Sequence, residues 1–208
     1  KIIVALDVDE LSKALRLVDA LHKYVGYYKV GLELLTSDGA PKVVSEINQI
    51  GGKIFYDGKF KDIPNTVAGA SRAVVKLGVN MFNVHASGGI EMMQAAVSYR
   101  GGSKVLAVTV LTSLSEEDAH VIYGAPSKAK VIEFARWAVI AGVDGIICSP
   151  QEIQVLKKQK ELNYLLLVTP GVRPLWAAAG DQKRVMTPSE AVKAGADYLV
   201  IGRPITQP

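Results

Sequence analysis

Four ionisable residues lie within six positions of one short stretch, and their types suggest acid–base chemistry at a fixed electrostatic site. They are Asp57, Lys59, Lys61 and Asp62, and they follow the apolar run at residues 54–56. Charged side chains are almost never fully buried unless they are paired or functional. A carboxylate repels a substrate carboxylate until carbon dioxide leaves, and an ammonium group can stabilise and then protonate the resulting carbanion. We therefore expect a site that acts on an anionic substrate.

The spacing of these charges places them on a strand. Asp57, Lys59 and Lys61 occupy alternate positions, which predicts that all three point to one face of a β-strand. Lys29 ends the neighbouring predicted strand. A structural alternative is an ion-pair network that only closes the fold, with Asp62 as the N-cap of the next helix. Because burying such a network costs desolvation free energy, we favour the functional interpretation.

The charged stretch belongs to the third of eight strand–helix alternations that run along the whole chain. The predicted strands are at residues 2–7, 27–31, 53–60, 81–85, 104–111, 145–149, 164–168 and 198–203, with helical spacing between most of them and a polar segment at 112–127. Eight such units in 208 residues predict a single α/β domain over residues 1–208, a parallel eight-stranded (β/α)8 TIM barrel. Since the sequence stops soon after the eighth strand, we expect either that a final covering helix is missing from it or that another chain covers this edge.

The amino-acid composition limits the kinds of molecule that this protein is expected to bind. No apolar run approaches the roughly 18 residues that a membrane span needs. The net charge is +4, and the basic residues are scattered rather than striped, which favours an anionic small molecule over nucleic acid or membrane. The single cysteine, Cys148, permits no internal disulfide and fits a reducing, cytoplasmic setting. The three histidines lack metal-ligand spacing, so we expect no metal.

A second group of residues fits a phosphate. In (β/α)8 barrels the active site lies at the C-terminal ends of the strands, and phosphate binds in the loops after strands seven and eight. The first of these loops leads to Arg173, and the second contains Gly202 and Arg203. Glycine lets backbone N–H groups approach an anion, and arginine offers a bidentate fork. The basic loop at 181–184 could close over the ligand, or it could simply be solvated.

Together with several further blocks of residues, the two groups described above resemble the orotidine 5′-monophosphate decarboxylase family, and the resemblance covers essentially the whole chain. The stretch from Asp57 to Pro64 resembles that family's Asp-x-Lys-x-x-Asp-Ile-Pro signature. Further similar blocks, in the same order, are residues 5–7, 29–31, 83–89, 111–115, 169–174, 181–184 and 202–205. One departure is Gly58, where the family usually has leucine. We expect weaker packing there and unchanged chemistry.

The resemblance implies decarboxylation of orotidine 5′-monophosphate to uridine 5′-monophosphate (UMP) and carbon dioxide, the last step of de novo pyrimidine biosynthesis, with no metal or organic cofactor. It implies Lys59 as proton donor to C6 of the pyrimidine, Asp57 beside the departing carboxylate, and Lys29 completing the charge chain. The substrate-binding residues it implies are Asp7 with Lys29 for the ribose hydroxyls, Ser115 for the pyrimidine ring, and Gln182 with Arg203 for the phosphate. It also implies an obligatory homodimer in which Asp62, as a catalytic residue, and Ile63 and Thr66, as substrate-binding residues, reach the active site of the other subunit.

Two alternatives remain open at this point. One is a magnesium-dependent sugar-phosphate decarboxylase or aldolase that shares the barrel and the Asp-x-Lys-x-x-Asp motif. Those relatives carry an acidic metal ligand where this chain has Lys29, and a lysine disfavours a cation site. The other is a catalytically silent barrel that binds a nucleotide without turning it over.

Overall fold

Eight parallel strands close into a barrel in the computed structural model, which describes residues 1–176 and 186–207. In chain order the strands are β1 (Ile2–Ala5), β2 (Tyr27–Val30), β3 (Ile54–Phe60), β4 (Met81–His85), β5 (Lys104–Val108), β6 (Gly145–Ile147), β7 (Leu166–Thr169) and β8 (Tyr198–Ile201). Each strand pairs with its neighbours in sequence, and β8 closes the barrel against β1. This confirms the (β/α)8 barrel predicted from the sequence.

Helices follow the strands and form the outer layer. The α-helices are Leu11–Leu21, Ala40–Gln49, Pro64–Lys76, Ile90–Ser98, Glu116–Tyr123, Ser127–Ala141, Ile153–Lys157 and Pro188–Ala194, with short helices at Leu32–Leu34 and Arg203–Thr206. A π-helix (Leu35–Gly39) and three 3₁₀ turns (Ala86–Gly88, Pro150–Glu152, Lys160–Leu162) complete the described helical segments. Among the described residues no helix is both long and apolar enough to cross a membrane.

The helix Glu116–Tyr123 lies where the sequence predicts only a polar segment. Its first turn contains three acidic residues, Glu116, Glu117 and Asp118, which interrupt the apolar spacing expected of a helix. Negative charges at this end are nevertheless favourable, because they interact with the positive end of the helix dipole. Ser115 begins the helix: its hydroxyl accepts from the Asp118 N–H, and the Asp118 carboxylate accepts from the Ser115 N–H. This reciprocal capping box explains why so polar a segment is helical.

Two groups of buried apolar side chains hold the barrel together. The larger group lies between the strands and the helices. The smaller group consists of Ile3, Phe55, Met81, Leu106 and Val168, one side chain from each of five strands. Strand residues alternate between the two faces of a sheet, so this second group fills the inside of the barrel. One of its members, Phe55, also lines the cavity described below.

Candidate active site

Two cavities open at the C-terminal ends of the strands. The first, called the inner cavity below, has a volume of about 200 Å³ and is lined by Lys29, Phe55, Asp57, Lys59, Val108, Val110, Leu111, Thr112, Ile147, Cys148, Pro170 and Val200. The second, of about 390 Å³, is lined by Ala5, Asp7, Lys29, Pro170, Gly171, Arg173, Val200, Gly202, Arg203 and Gln207. Three residues, Lys29, Pro170 and Val200, line both cavities. The two cavities therefore form one continuous site. The inner part has a mostly apolar wall that carries three charged side chains, and the outer part is more basic.

The inner part is built around a chain of alternating charges from three neighbouring strands. Lys29 Nζ lies 2.9 Å from Asp7 Oδ1 and 3.1 Å from Asp57 Oδ2. Lys59 Nζ lies 2.8 Å from Asp57 Oδ1. The order Asp7–Lys29–Asp57–Lys59 runs from the strand end of β1 to that of β3. This brings together four of the residues predicted for ribose binding and catalysis, while Asp62, also predicted to be catalytic, lies outside both cavities.

Burial makes these charges depend on one another. The side chain of Asp57 is 8% exposed and that of Lys29 is 13% exposed, whereas that of Asp7 is 61% exposed. Burial by itself raises the pKa of Asp57, but the ammonium groups of Lys29 and Lys59 outweigh it and hold that pKa below its ordinary value. Burial likewise acts to lower the pKa of Lys29, and the carboxylates of Asp57 and Asp7 raise it overall. Both groups are therefore charged at neutral pH.

The route by which Asp57 and Lys59 meet differs from the one that the sequence suggests. Strand β3 pairs with β4 as Tyr56↔Phe82 and then as Phe60↔Val84, so β3 contains two extra residues in a bulge. Lys59 adopts a left-handed backbone with φ of 50°, the only positive φ at a non-glycine residue in the described chain. Asp57 and Lys59 do face the same cavity, as predicted, but a bulge rather than regular alternation brings them there, and the exposed Lys61 lies beyond β3. The bulge re-aims Lys59 toward Asp57.

Asn83 in β4 is a site residue to which the sequence analysis assigned no role. It is fully buried, its side-chain carbonyl accepts from the Lys59 backbone N–H at 2.8 Å, and its amide donates to Asp57 Oδ1 at 2.7 Å. The available signal was an asparagine inside the otherwise apolar run of residues 81–84. A buried polar side chain needs partners, so its position in a strand next to the charged stretch was informative.

The outer cavity contains the predicted phosphate-binding residues that lie in the described chain. Arg173, Gly202 and Arg203 all line it. Burial and the nearby positive charge of Arg203 lower the pKa of Arg173. The Nε of Arg173 is buried and has no hydrogen-bond partner in residues 1–176 and 186–207. Gln182 and the rest of the 181–184 loop lie outside the described residues.

Four other predicted site residues lie away from the two cavities in this chain. Ser115 does not line either cavity, and its hydroxyl is engaged in the capping box of the following helix. Thr112, three residues earlier, lines the inner cavity instead. Asp62, Ile63 and Thr66 are exposed at the start of the helix Pro64–Lys76, with the Asp62 carboxylate accepting from the Ile63 N–H at 2.6 Å. The N-cap of that helix is Ile63 rather than Asp62.

Gly58 is more tightly surrounded than expected. A Cβ atom built at this position would lie 2.5 Å from Cε1 of Tyr56 and 3.1 Å from Cε1 of Phe60. The rings of Tyr56 and Phe60 pack against each other with centroids 5.8 Å apart. These rings occupy the space beside Gly58, so the expected weaker packing is not what the structure has. Glycine permits this close approach of the two rings.

The sequence of the chain matches a known family. A family model described as "Orotidine 5'-phosphate decarboxylase / HUMPS family" matches residues 1–208. The orotidine 5'-phosphate decarboxylase of Moorella thermoacetica is 49% identical over 218 residues, covering 99% of this chain and 85% of that protein. The enzyme of the same name from Geotalea daltonii is 50% identical over 213 residues, covering 99% of this chain and 88% of that protein.

Solved structures agree with the sequence relatives. Orotidine 5'-phosphate decarboxylase from Lactobacillus acidophilus superposes with a TM-score of 0.82 at 34% identity, covering 100% of this chain and 92% of that one. The decarboxylase from Methanocaldococcus jannaschii, solved in complex with the inhibitor BMP, gives a TM-score of 0.80 at 26% identity and covers 91% of that chain. By sequence match and fold, this chain belongs to the orotidine 5'-phosphate decarboxylase / HUMPS family.

Proposed function

We propose that this protein decarboxylates orotidine 5′-monophosphate to UMP and carbon dioxide in pyrimidine biosynthesis, with the Asp57–Lys59 pair as its reacting centre. The observation that carries the proposal is the 2.8 Å contact between Lys59 Nζ and Asp57 Oδ1 at the wall of the inner cavity. The relatives named above and the family match support the same reaction.

Asp57 promotes loss of the substrate carboxylate. Its own carboxylate is buried and stays charged, because Lys29 and Lys59 flank it. A substrate carboxylate brought beside Asp57 is repelled, and the repulsion disappears once neutral carbon dioxide leaves. At about 4 Å and an effective dielectric constant near 20, one such pair of charges interacts by about 4 kcal/mol. That free energy favours the transition state over the bound substrate.

Lys59 completes the reaction. When the bond between C6 and the carboxylate breaks, its electron pair stays on C6. The ammonium group of Lys59 stabilises that negative charge and then donates a proton to C6, which gives UMP. Lys29 keeps Asp57 charged and in place during these steps, and its contact with the more exposed Asp7 extends the charged chain to the outer cavity.

The outer cavity binds the ribose 5′-phosphate part of the substrate. Arg173 and Arg203 supply the positive charge, and Gly202 lets the backbone approach a phosphate oxygen. Asp7 and Lys29 hold the ribose hydroxyls between the two cavities. Gln182 from the 181–184 loop adds a phosphate contact, and the pyrimidine lies against the loop after β5, where Thr112 lines the inner cavity.

A magnesium-dependent reaction is disfavoured by the chemistry of the donor set. In the inner cavity, the Nζ of Lys29 lies between the Asp7 and Asp57 carboxylates that a divalent cation would need. The proposed reaction therefore uses an ammonium group where the alternative would use a metal ion.

The decisive assay follows the ultraviolet absorbance of orotidine 5′-monophosphate after the protein is added in the presence of EDTA. The proposal expects the absorbance to fall, with UMP and carbon dioxide formed in equal amounts. Turnover that EDTA abolishes and magnesium restores would favour the sugar-phosphate class of enzyme. Nucleotide binding without any turnover would favour the silent barrel.

We also propose a cytoplasmic homodimer with shared active sites. Support comes from the exposure of Asp62, Ile63 and Thr66 on the rim beside β3, where Ile63 is 66% exposed although it is a large apolar residue. An isologous contact would place these residues at the partner's cavity. The single cysteine suits the cytoplasm.

Mixing two inactive variants tests the shared site. Lys59→Ala and Asp62→Ala subunits, unfolded and refolded together, would give a heterodimer in which one site has both an intact Lys59 and an intact Asp62. The proposal expects about a quarter of the parent activity when the subunits pair at random. A mixture as inactive as either variant alone would show that Asp62 serves its own chain.

A further inference from the structure

Asn83 connects two parts of the reacting centre at once. Its side-chain carbonyl accepts from the backbone N–H of Lys59 at 2.8 Å, and its side-chain amide donates to Asp57 Oδ1 at 2.7 Å. Asn83 is 0% exposed, and it does not line either cavity. It therefore lies behind the reacting groups rather than beside a bound substrate.

The backbone of Lys59 needs such a contact. Its φ of 50° lies in the left-handed region, which non-glycine residues adopt rarely and retain only where the surroundings hold them. The bulge also removes Lys59 from the regular β3–β4 ladder, which resumes at Phe60↔Val84. The Lys59 N–H is thus bonded to a side chain instead of to a strand carbonyl. Releasing it would let the backbone relax and change the direction of the Lys59 side chain.

An asparagine is well suited to both contacts. The Lys59 N–H needs an acceptor and the Asp57 carboxylate needs a donor, and a primary amide presents one of each in a fixed plane. Aspartate has the same shape and keeps the acceptor, but it has no donor and brings a second negative charge next to Asp57. Alanine removes both groups. These two replacements therefore separate the roles of the amide.

We propose that Asn83 is a positioning residue for the decarboxylation, which holds the left-handed Lys59 backbone in register with the Asp57 carboxylate so that the Lys59 ammonium group reaches C6. This inference rests on the proposed function. It predicts that Asn83 affects the chemical step much more than nucleotide binding, because Asn83 contacts the reacting residues and not the cavities.

The chain contains a matched control at the other end of the same pair of strands. The Asn80 side-chain carbonyl accepts from the backbone N–H of Ile54 at 2.8 Å, just as Asn83 does from Lys59. Asn80 precedes β4, at the end of the strands opposite to the cavities, and its side chain bonds to Ile54, whereas that of Asn83 bonds to Lys59 and Asp57. Removing it takes away the same kind of β3–β4 hydrogen bond without touching the reacting centre.

The experiment compares Asn83→Ala, Asn83→Asp and Asn80→Ala with the parent. It measures the thermal midpoint by circular dichroism, the affinity for UMP by calorimetry, and kcat and KM for orotidine 5′-monophosphate per folded molecule. For Asn83→Ala we expect kcat to fall about 100-fold while UMP affinity changes less than about threefold. Asn83→Asp loses at least as much turnover as Asn83→Ala. Asn80→Ala lowers the thermal midpoint but keeps kcat within about threefold of the parent.

The outcomes separate the inference from the function on which it rests. A parent that does not decarboxylate the substrate would overturn the proposed function. An active parent with an equally active Asn83→Ala would overturn only the inference. A loss of kcat in Asn80→Ala as large as that in Asn83→Ala would also overturn it, because the effect would then be a general loss of strand pairing. If Asn83→Ala does not fold, Asn83→Asp decides in the same way, since it keeps the volume and the acceptor for Lys59.

Discussion

The two halves of the site differ in how their charged side chains are arranged. At the ends of β1 to β3, every charge in the inner chain has a partner: Asp7, Lys29, Asp57 and Lys59 alternate in sign with contacts of 2.8 to 3.1 Å. At the ends of β7 and β8, Arg173 and Arg203 both line the outer cavity, and each adds to its positive charge. The inner half is thus held together by its own ion pairs, while the two arginines bring positive charge to the outer cavity.

This difference indicates which half of the site determines the rate of the chemical step and which half determines substrate affinity. A chain of paired charges around the buried Asp57 is in position before substrate arrives, which is what electrostatic stabilisation of a transition state requires. Two neighbouring guanidinium groups repel each other, and an anion between them relieves the repulsion. The inner half should therefore determine the rate of the chemical step, and the outer half should determine affinity. Substitutions on the two sides can break or sharpen this division.

The largest effect is expected from Lys59→Ala. Loss of the proton donor and of the positive charge near C6 should lower kcat by about 10⁴-fold, the upper range for a general acid. Steady-state assays with orotidine 5′-monophosphate measure this directly, and circular dichroism checks the fold. Turnover close to that of the parent would remove Lys59 from the role of proton donor.

A smaller effect of a different kind is expected from Arg203→Ala. Loss of a charged contact to the phosphate should reduce kcat/KM by about 10- to 100-fold, since hydrogen bonds to charged groups contribute about 1.5–3 kcal/mol. The matched control is the nucleoside orotidine, which lacks the phosphate. Parent and variant should convert it with similar kcat/KM, and an equal loss for both substrates would contradict a phosphate role.

Substitution on the outer side of β3 should affect stability and leave the chemistry intact. Gly58→Leu forces the Tyr56 ring to move, because a Cβ at position 58 lies 2.5 Å from it. We expect about 1–3 kcal/mol of destabilisation with little change in kcat. In the double variant with Tyr56→Ala, the cost should be smaller than the sum of the single costs, as urea denaturation would measure. Additive costs would show that the two positions do not compete for space.

Features of this site that follow from patterns within one segment could be predicted from the sequence, and features that depend on residues far apart in the chain could not. Eight apolar runs with helical spacing between them predicted the barrel, and the barrel placed Asp7, Lys29 and Asp57 at one end because parallel strands end together. The bulge at Lys59 could not be predicted, because it depends on a register shift against β4 and on a side chain 24 residues away. The helix Glu116–Tyr123 was missed because the capping box between Ser115 and Asp118 was not recognised in a polar segment.

The pH dependence of stability provides a smaller test of the inner half. The pKa of Asp57 in the folded protein lies below its ordinary value of 3.8. Its carboxylate therefore stabilises the fold above pH 3.8, and this contribution is lost as the pH falls through the lowered pKa. The unfolding free energy of the parent minus that of Asp57→Asn should stay constant near neutral pH and decrease in acid. A difference that grows as the pH falls would mean that burial outweighs the two lysines.

The division between the two halves is tested most directly by one calorimetric comparison, the affinity for UMP of Lys59→Ala and of Arg203→Ala. The structure leads us to expect that Lys59→Ala binds UMP within about tenfold of the parent, because the lost group acts on the transition state. Arg203→Ala should bind about 10- to 100-fold more weakly, because the lost group holds the phosphate. The reverse order, with Lys59→Ala the weaker binder, would contradict the assignment of chemistry to the inner half and affinity to the outer half.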